Sequence, residues 1–323
     1  MFSELESQIN DYVLDCDIRG LSNRTLHSYQ QSLLLFARYL SDVHEITDAK
    51  DVKTEHIKRY IKYCKDRGKY SAVTADYTKQ YNRPEARPDH GKPVSVSTVA
   101  NYLRNIKVFF GYLEKERIIR INPAKGIKSI KPERKEKKLL SKEELRRLMQ
   151  SFDLTRIYEM RAYIMTRLIL DTGVRVGELT EIKPEDIDFR NRAILMRVTK
   201  NGSERYVFFS NKMSRELKRW LQYQDRYSTS EYLFSTSRNT QMTVSSFERT
   251  LRIHGEKAGV KVTPHILRNN FAKYYLMNGG DLTTLSRLLG HSSLEVTKVY
   301  LDFTTDEIRD QYQKFSPMNN LKI

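Results

Sequence analysis

The chain is poor in the residues that staple small secreted folds or mark a membrane protein. Its two cysteines, Cys16 and Cys64, stand far apart with no CxxC or Cys/His spacing. That excludes a disulfide framework and a zinc knuckle, and reads as two reduced thiols in a cytoplasmic chain. No apolar run reaches the roughly eighteen residues of a spanning helix, and no acyl-anchor motif occurs, so no membrane partner is expected. The opening MFSELESQ is acidic and amphipathic rather than signal-like. There is no internal repeat, no low-complexity tract and no carboxylate cluster at metal-ligand spacing. The last absence fits a covalent mechanism better than a two-metal nuclease, and neither a metal nor another cofactor is expected. Carboxylates are also in deficit: 40 Asp and Glu face 57 Lys and Arg, a formal charge of +17. Such an excess favours a polyanionic partner through phosphate neutralisation and counterion release, and nucleic acid heads the list.

What is present reads as two folded units, within reach of 323 residues. The first spans 1–124 and is helical. In SNRTLHSYQQSLLLFARYL the apolar residues Leu26, Tyr29, Leu33, Phe36 and Leu40 recur at three and four behind a Ser22/Asn23 start signal. STVANYLRNIKVFFGYLEKE repeats the pattern with Val99, Leu103, Ile106, Phe110 and Leu113, leaving Asn101, Arg104 and Lys107 on the outer face. Shorter helices are expected over 3–18 and 53–66. Between them and the last helix, 69–96 carries Pro84, Pro88 and Pro93 and reads as a long solvated loop.

The stretch KGIKSIKPERKEKK, 125–138, has seven basic and two acidic residues and no apolar period, so residues 125–139 are expected to be an interdomain linker. The second unit, 140–323, opens on a Ser141/Glu144 capping box. It reads as mostly helical with one β element: two extended runs in AILMRVTKNGSERYVFFS flank Asn201-Gly202, which places Lys200 at a hairpin tip. In the tail, Thr304 and Glu307 cap a helix bearing Ile308, Tyr312 and Phe315.

In LLGHSSLEVTKVY, residues 288–300, a glycine-histidine turn precedes a tyrosine by nine positions. On one straight helix that separation is about 900° and about 13.5 Å, which would put His291 and Tyr300 on opposite sides. Ser292 and Glu295 form a further box, so a helix should start after His291 and carry Tyr300 near its far end. The two side chains meet only around a ligand or with a bend. In VTPHILRNNFA, Thr263 as N-cap and Pro264 behind it put His265 and Arg268 on one face at a helix N-terminus, the end that attracts phosphate. In LDTGVRVGEL, Arg175 follows a Thr-Gly turn with Glu178 one turn on. An arginine fork matches phosphate oxygens, and a neighbouring carboxylate fixes its rotamer, although a plain surface Arg/Glu pair reads the same way. Together these are the parts for metal-free attack on a phosphodiester: two arginines for charge, histidines and a lysine for protons, and a tyrosine as nucleophile.

The order Arg175, Lys200, His265-x-x-Arg268, His291, Tyr300, with LxxLLGHSSxxxTxxY at 285–300, resembles the tyrosine recombinase (phage integrase) family. The likeness extends through SNRTLHSYQQSLLLFARYL and NYLRNIKVFFGYLEKERIIRINPAKGI to that family's core-binding domain. It implies a mainly α fold with a small antiparallel sheet in the catalytic domain, and a C-shaped two-domain clamp on duplex DNA. It implies that Tyr300 forms a 3′-phosphotyrosine, that Arg175 and Arg268 bind the scissile phosphate, and that Lys200 is the general acid. His265 and His291 would assist proton transfer, and Glu178 would be a supporting carboxylate. It further implies a homotetramer at synapsis, a monomer or dimer off DNA, a C-terminal helix at 304–315 that docks on a neighbour, and a possible accessory protein or second recombinase. The chain departs from the common pattern at LRNNFA, VRVGEL and YLDF, none of them at a catalytic position. It opens directly on core-binding helices, which points to a simple Xer-like or transposon-type recombinase.

Arg24, Arg104 and Lys107 lie on or beside the two helices that the resemblance places over the major groove, as candidates for base contacts, although outward basic residues are more often merely solvated or bound to phosphate. Two rival readings keep the same clamp. One is a catalytically silent site-specific DNA-binding protein, against which the complete residue set speaks; the other is a type IB topoisomerase-like relaxing enzyme.

Overall fold

The computed structural model describes residues 3–74, 83–133, 139–197 and 204–316. It divides into two compact units, residues 1–135 and 136–323. Most of the linker segment's central run, residues 134–138, lies outside the described residues, as do 75–82 of the 69–96 loop and the Lys200-Asn201-Gly202 tip.

The first unit packs α1 (Glu4–Ile18), α2 (Asn23–His44), α3 (Thr54–Asp66) and α4 (Val96–Lys115). Ser3 and Glu6 close a capping box on α1, and the Ser22 and Ser95 side chains cap α2 and α4. The stripes anticipated from periodicity form the core: Leu33, Phe36 and Leu40 of α2 meet Val99, Leu103, Ile106, Phe110 and Leu113 of α4, with Leu26 and Tyr29 at the edge. Arg24 and Arg104 are exposed, while Lys107 is half-buried rather than fully outward. The described ends of the 69–96 loop are tied down by a Gly68–Pro93 bridge and a 3.1 Å Lys69–Asp89 ion pair.

The second unit opens with α5 (Lys142–Gln150) behind the Ser141/Glu144 capping box. Its centre is α6 (Ile157–Thr172), which packs against α8 (Asn211–Tyr227), α9 (Val244–Lys257) and α10 (Pro264–Met277). Leu168, Ile169, Leu217, Trp220, Phe247 and Leu267 fill the space between them. The short α7 (Val176–Glu181) leads into an antiparallel sheet of β1 (Ile187–Asp188), β2 (Ala193–Met196) and β3 (Arg205–Phe208). The β2–β3 pair is the hairpin read from sequence; β1 is too short to carry a period and was not legible.

The chain ends through α11 (Leu282–Leu289), α12 (Leu294–Lys298) and α13 (Thr305–Phe315). Here the structure corrects the sequence: α12 has Ser293 at its N-cap with no side-chain cap bond, instead of a Ser292/Glu295 box, and it stops at Lys298. Tyr300 therefore sits in the turn beyond the helix. α13 keeps its Thr304/Glu307 box and packs on its own chain: Lys273 of α10 pairs with Glu307 at 2.7 Å, and Gln311 Nε2 donates to the Met277 carbonyl at 2.8 Å. Ile308, Tyr312 and Phe315 are largely exposed. Among the described residues no helix is long and apolar enough to cross a membrane.

Candidate active site

Two glycine turns set the site. Gly173 ends α6 in the left-handed region (φ 67°), so the chain reverses and Arg175 becomes the N-cap of α7. Gly290 ends α11 in the same way (φ 61°) and delivers His291 beside α10. The carbonyls left open by both turns are taken by arginines. Arg268, on the buried face of α10, donates Nη1 to Gly173 O and Nη2 to Leu289 O at 2.7 Å, and Arg175 Nη2 donates to Gly290 O at 2.8 Å.

Glu178 lies beneath, its side chain 5% exposed, and accepts from Arg175 Nη1 at 2.9 Å and from the Arg175 backbone N–H at 3.1 Å. Burial pushes its carboxyl up, but the bonds and charges of Arg205 and Arg175 outweigh burial and hold it below the usual carboxylate range. Among the described residues no carboxylate pairs directly with Arg268. Burial first, and repulsion from Arg175 second, bring its guanidinium down to about 10, still cationic at neutral pH.

His291 Nε2 faces Arg268 Nη2 at 3.3 Å and Nδ1 faces Thr297 Oγ1 at 2.7 Å. A guanidinium only donates, so Nε2 accepts and Nδ1 carries the proton to Thr297. Tyr300 is 5% exposed, its ring parallel to His291 with centroids 6.4 Å apart. The bend between them is the abrupt end of α12. Tyr300 packs on Ala272, Leu276, Leu285 and Leu289, and its hydroxyl donates to Asn269 Oδ1 at 3.1 Å. Burial raises the phenol, partly offset by Arg268 and Arg175, so the resting group is the neutral phenol.

The structure thus brings Arg175, Glu178, Arg268, His291 and Tyr300 together. His265 stands one turn before Arg268 on α10 with an exposed side chain, and Lys200 lies outside the described residues. Arg24, Arg104 and Lys107 belong to the first unit. Sequence reasoning missed Arg205 and Asn269. Arg205 forks onto both Glu178 oxygens at 2.8 and 2.6 Å; its signal was a cation two places before Val207, on the inward face of an alternating strand. Asn269 and Asn270, adjacent poor helix formers in mid-helix, were the other signal. Asn270 ties Leu140 through both backbone groups, at 3.1 and 2.7 Å. Among the described residues no group of three or more His, Cys, Asp or Glu is placed to hold a metal ion.

Comparison with known proteins gives this geometry its setting. Residues 138–307 match the phage integrase family, and 12–78 match the phage integrase N-terminal SAM-like domain. The tyrosine recombinase XerC of Thermodesulfovibrio yellowstonii is 31% identical over 71% of this chain and 78% of its own. The tyrosine recombinase XerD of Oceanobacillus iheyensis is 26% identical over 97% of this chain and 99% of its own. In fold, the chain is similar to the Tn1549 transposon integrase in complex with a circular intermediate DNA, with a TM-score of 0.70 at 16% identity, covering 97% of this chain and 99% of that one. Because the family signature spans more than half of the chain and the likeness continues through the helical unit, the chain belongs to the phage integrase family of site-specific tyrosine recombinases.

Proposed function

We propose that Tyr300 is the nucleophile of DNA strand exchange on duplex target sites. Its Oη bonds to the scissile phosphorus as the P–O5′ bond breaks, giving a 3′-phosphotyrosine and a free 5′-hydroxyl. The phenolic proton passes towards His291 or His265, Lys200 protonates the leaving oxygen, and reversal with a new 5′-hydroxyl rejoins the strand. Arg175 and Arg268 neutralise the phosphate, and Glu178 holds Arg175. The carrying observation is the charge imbalance: Arg175 and Arg205 share the carboxylate of Glu178, while the Arg268 guanidinium, which donates to the Gly173 and Leu289 carbonyls, lies beside Tyr300. An anion at that point offsets the burial and the repulsion from Arg175 that depress Arg268.

The test is a denaturant-resistant protein–DNA adduct on nicked duplexes tiled from DNA flanking the gene, with the mass shift located on the Tyr300 peptide. Tight, salt-sensitive binding to one tile without an adduct would favour the silent DNA-binding reading, and site-independent plasmid relaxation would favour the topoisomerase-like one. Lys200→Ala is expected to slow adduct formation about 10²-fold or more while leaving the Kd nearly unchanged; equal loss of both would make the lysine a binding residue only.

The helical unit, 1–124, is proposed to bind one DNA face and the catalytic unit, 140–323, the other, with 125–139 as the connection. Arg104→Ala should weaken site binding by about 0.5–2 kcal/mol at fixed salt, and an unchanged Kd removes Arg104 from the interface; Arg24 and Lys107 are tested in the same titration. The exposed Ile308, Tyr312 and Phe315 stripe of α13 supports docking on a neighbouring protomer in a synaptic homotetramer. An accessory protein or a second recombinase is the further partner this reading allows.

A further inference from the structure

Arg205 lies outside the residues assigned above, yet its side chain is engaged from three directions. Nη1 and Nη2 reach the two oxygens of Glu178 at 2.8 and 2.6 Å, and Nε donates to Leu288 O at 3.3 Å. Its backbone pairs with Met196, the last described pair of β2 and β3 before the hairpin tip. One guanidinium thereby joins the sheet, the start of α7 and the last turn of α11. Approach to that turn depends on Gly290: a Cβ there would lie 2.9 Å from Arg205 Nε. Gly290 is therefore required twice, by its positive φ and by the arginine behind it.

We infer that Arg205 is a positioning residue for strand cleavage, acting through Glu178 and the 288–291 turn to hold Arg175 and His291 towards one phosphate. Glu178 Oε1 is shared, accepting from Arg175 Nη1 at 2.9 Å and from Arg205 Nη1 at 2.8 Å. With Arg205 removed, both carboxylate oxygens are available to Arg175, whose fork would turn inward onto Glu178 and away from the DNA. Lysine would keep the charge and lose the geometry, because one ammonium cannot span two carboxylate oxygens and a carbonyl in a plane. A buried ion pair adds little to net stability over apolar packing, so orientation is the property Arg205 supplies here. The inference rests on the reading of Tyr300 and Arg175 given above.

The test uses the full chain, the nicked duplexes on which wild type forms its adduct, and temperatures below each variant's melting point. Arg205→Lys is expected to lower the single-turnover adduct rate about 100-fold, the scale of an ångström-sized misplacement, with the Kd for intact duplex within about threefold of wild type. Arg205→Ala should regain at least about tenfold in rate with millimolar guanidinium, and not with ammonium at equal ionic strength. An Arg205→Lys rate within about threefold of wild type, a parallel loss of rate and binding, or no guanidinium rescue would overturn the inference. Wild type without a Tyr300-dependent adduct overturns the reading of the site and this inference together. A Tyr300-dependent adduct undiminished in Arg205→Lys overturns this inference alone.

Discussion

Tyr300→Phe is expected to lower adduct formation by at least about 10⁴-fold, the scale on which loss of a nucleophile is felt, while the folded protein still binds its duplex. The substitution removes one oxygen from a ring already 5% exposed among Ala272, Leu276, Leu285 and Leu289, so packing is retained. The hydroxyl's acceptor, Asn269 Oδ1, is left unpaired, at a cost of about 1–3 kcal/mol. Melting temperature and Kd therefore report a modest change, and the covalent step reports the chemistry. Measuring all three on the same preparation separates them. An adduct that persists in Tyr300→Phe would move the nucleophile to another side chain and remove the central role proposed for this residue.

The second large effect is on stability. Glu178→Ala leaves Arg175 and Arg205 facing each other without the carboxylate that accepts from both at 2.9 Å and 2.6–2.8 Å. Arg205 is only 12% exposed, so water cannot replace the lost partner fully. Breaking such a pair costs about 3–5 kcal/mol, measurable as a lower denaturation midpoint with an unchanged denaturant slope. The pH dependence has a definite sign. The folded-state pKa of Glu178 lies below the unfolded value of about 4.3. Its contribution is therefore full above that value and is lost as pH falls through the lower folded pKa. The gap between wild type and Glu178→Ala should be constant near neutrality and close on acidification; a gap that widens in acid would show that the carboxylate is not the group responsible.

Periodicity was legible wherever a helix buries one face. The α4 stripe of Val99, Leu103, Ile106, Phe110 and Leu113 is fully buried, and the capping boxes at Ser141 and Thr304 start α5 and α13 where the spacing placed them. The reading failed where the signal was short or its partner distant. Ser292/Glu295 has capping-box spacing, yet the Gly290 turn leaves Ser293 at the N-cap. The Ile308, Tyr312 and Phe315 spacing, by contrast, lies on a helix that forms where it was expected, and the stripe faces outward.

By itself, the sequence determined the helical repeats and the caps at Ser141 and Thr304, favoured a polyanionic partner through its charge, and supplied Arg175, Glu178, His265, Arg268, His291 and Tyr300 as candidates. These depend on composition or on neighbours within about one turn, which act on the chain before it folds. Only the tertiary structure decided that α12 ends at Lys298 and lets Tyr300 lie parallel to His291, that Asn269 holds the tyrosine hydroxyl, and that Arg205 reaches across from β3 to Glu178 and Leu288. Those contacts join residues 27 to 83 positions apart, and no local pattern specifies them. They arise because α10 packs on α6 and on α11 and leaves the open carbonyls of Gly173, Leu289 and Gly290 around one place, where the guanidinium groups of Arg268 and Arg175 satisfy them.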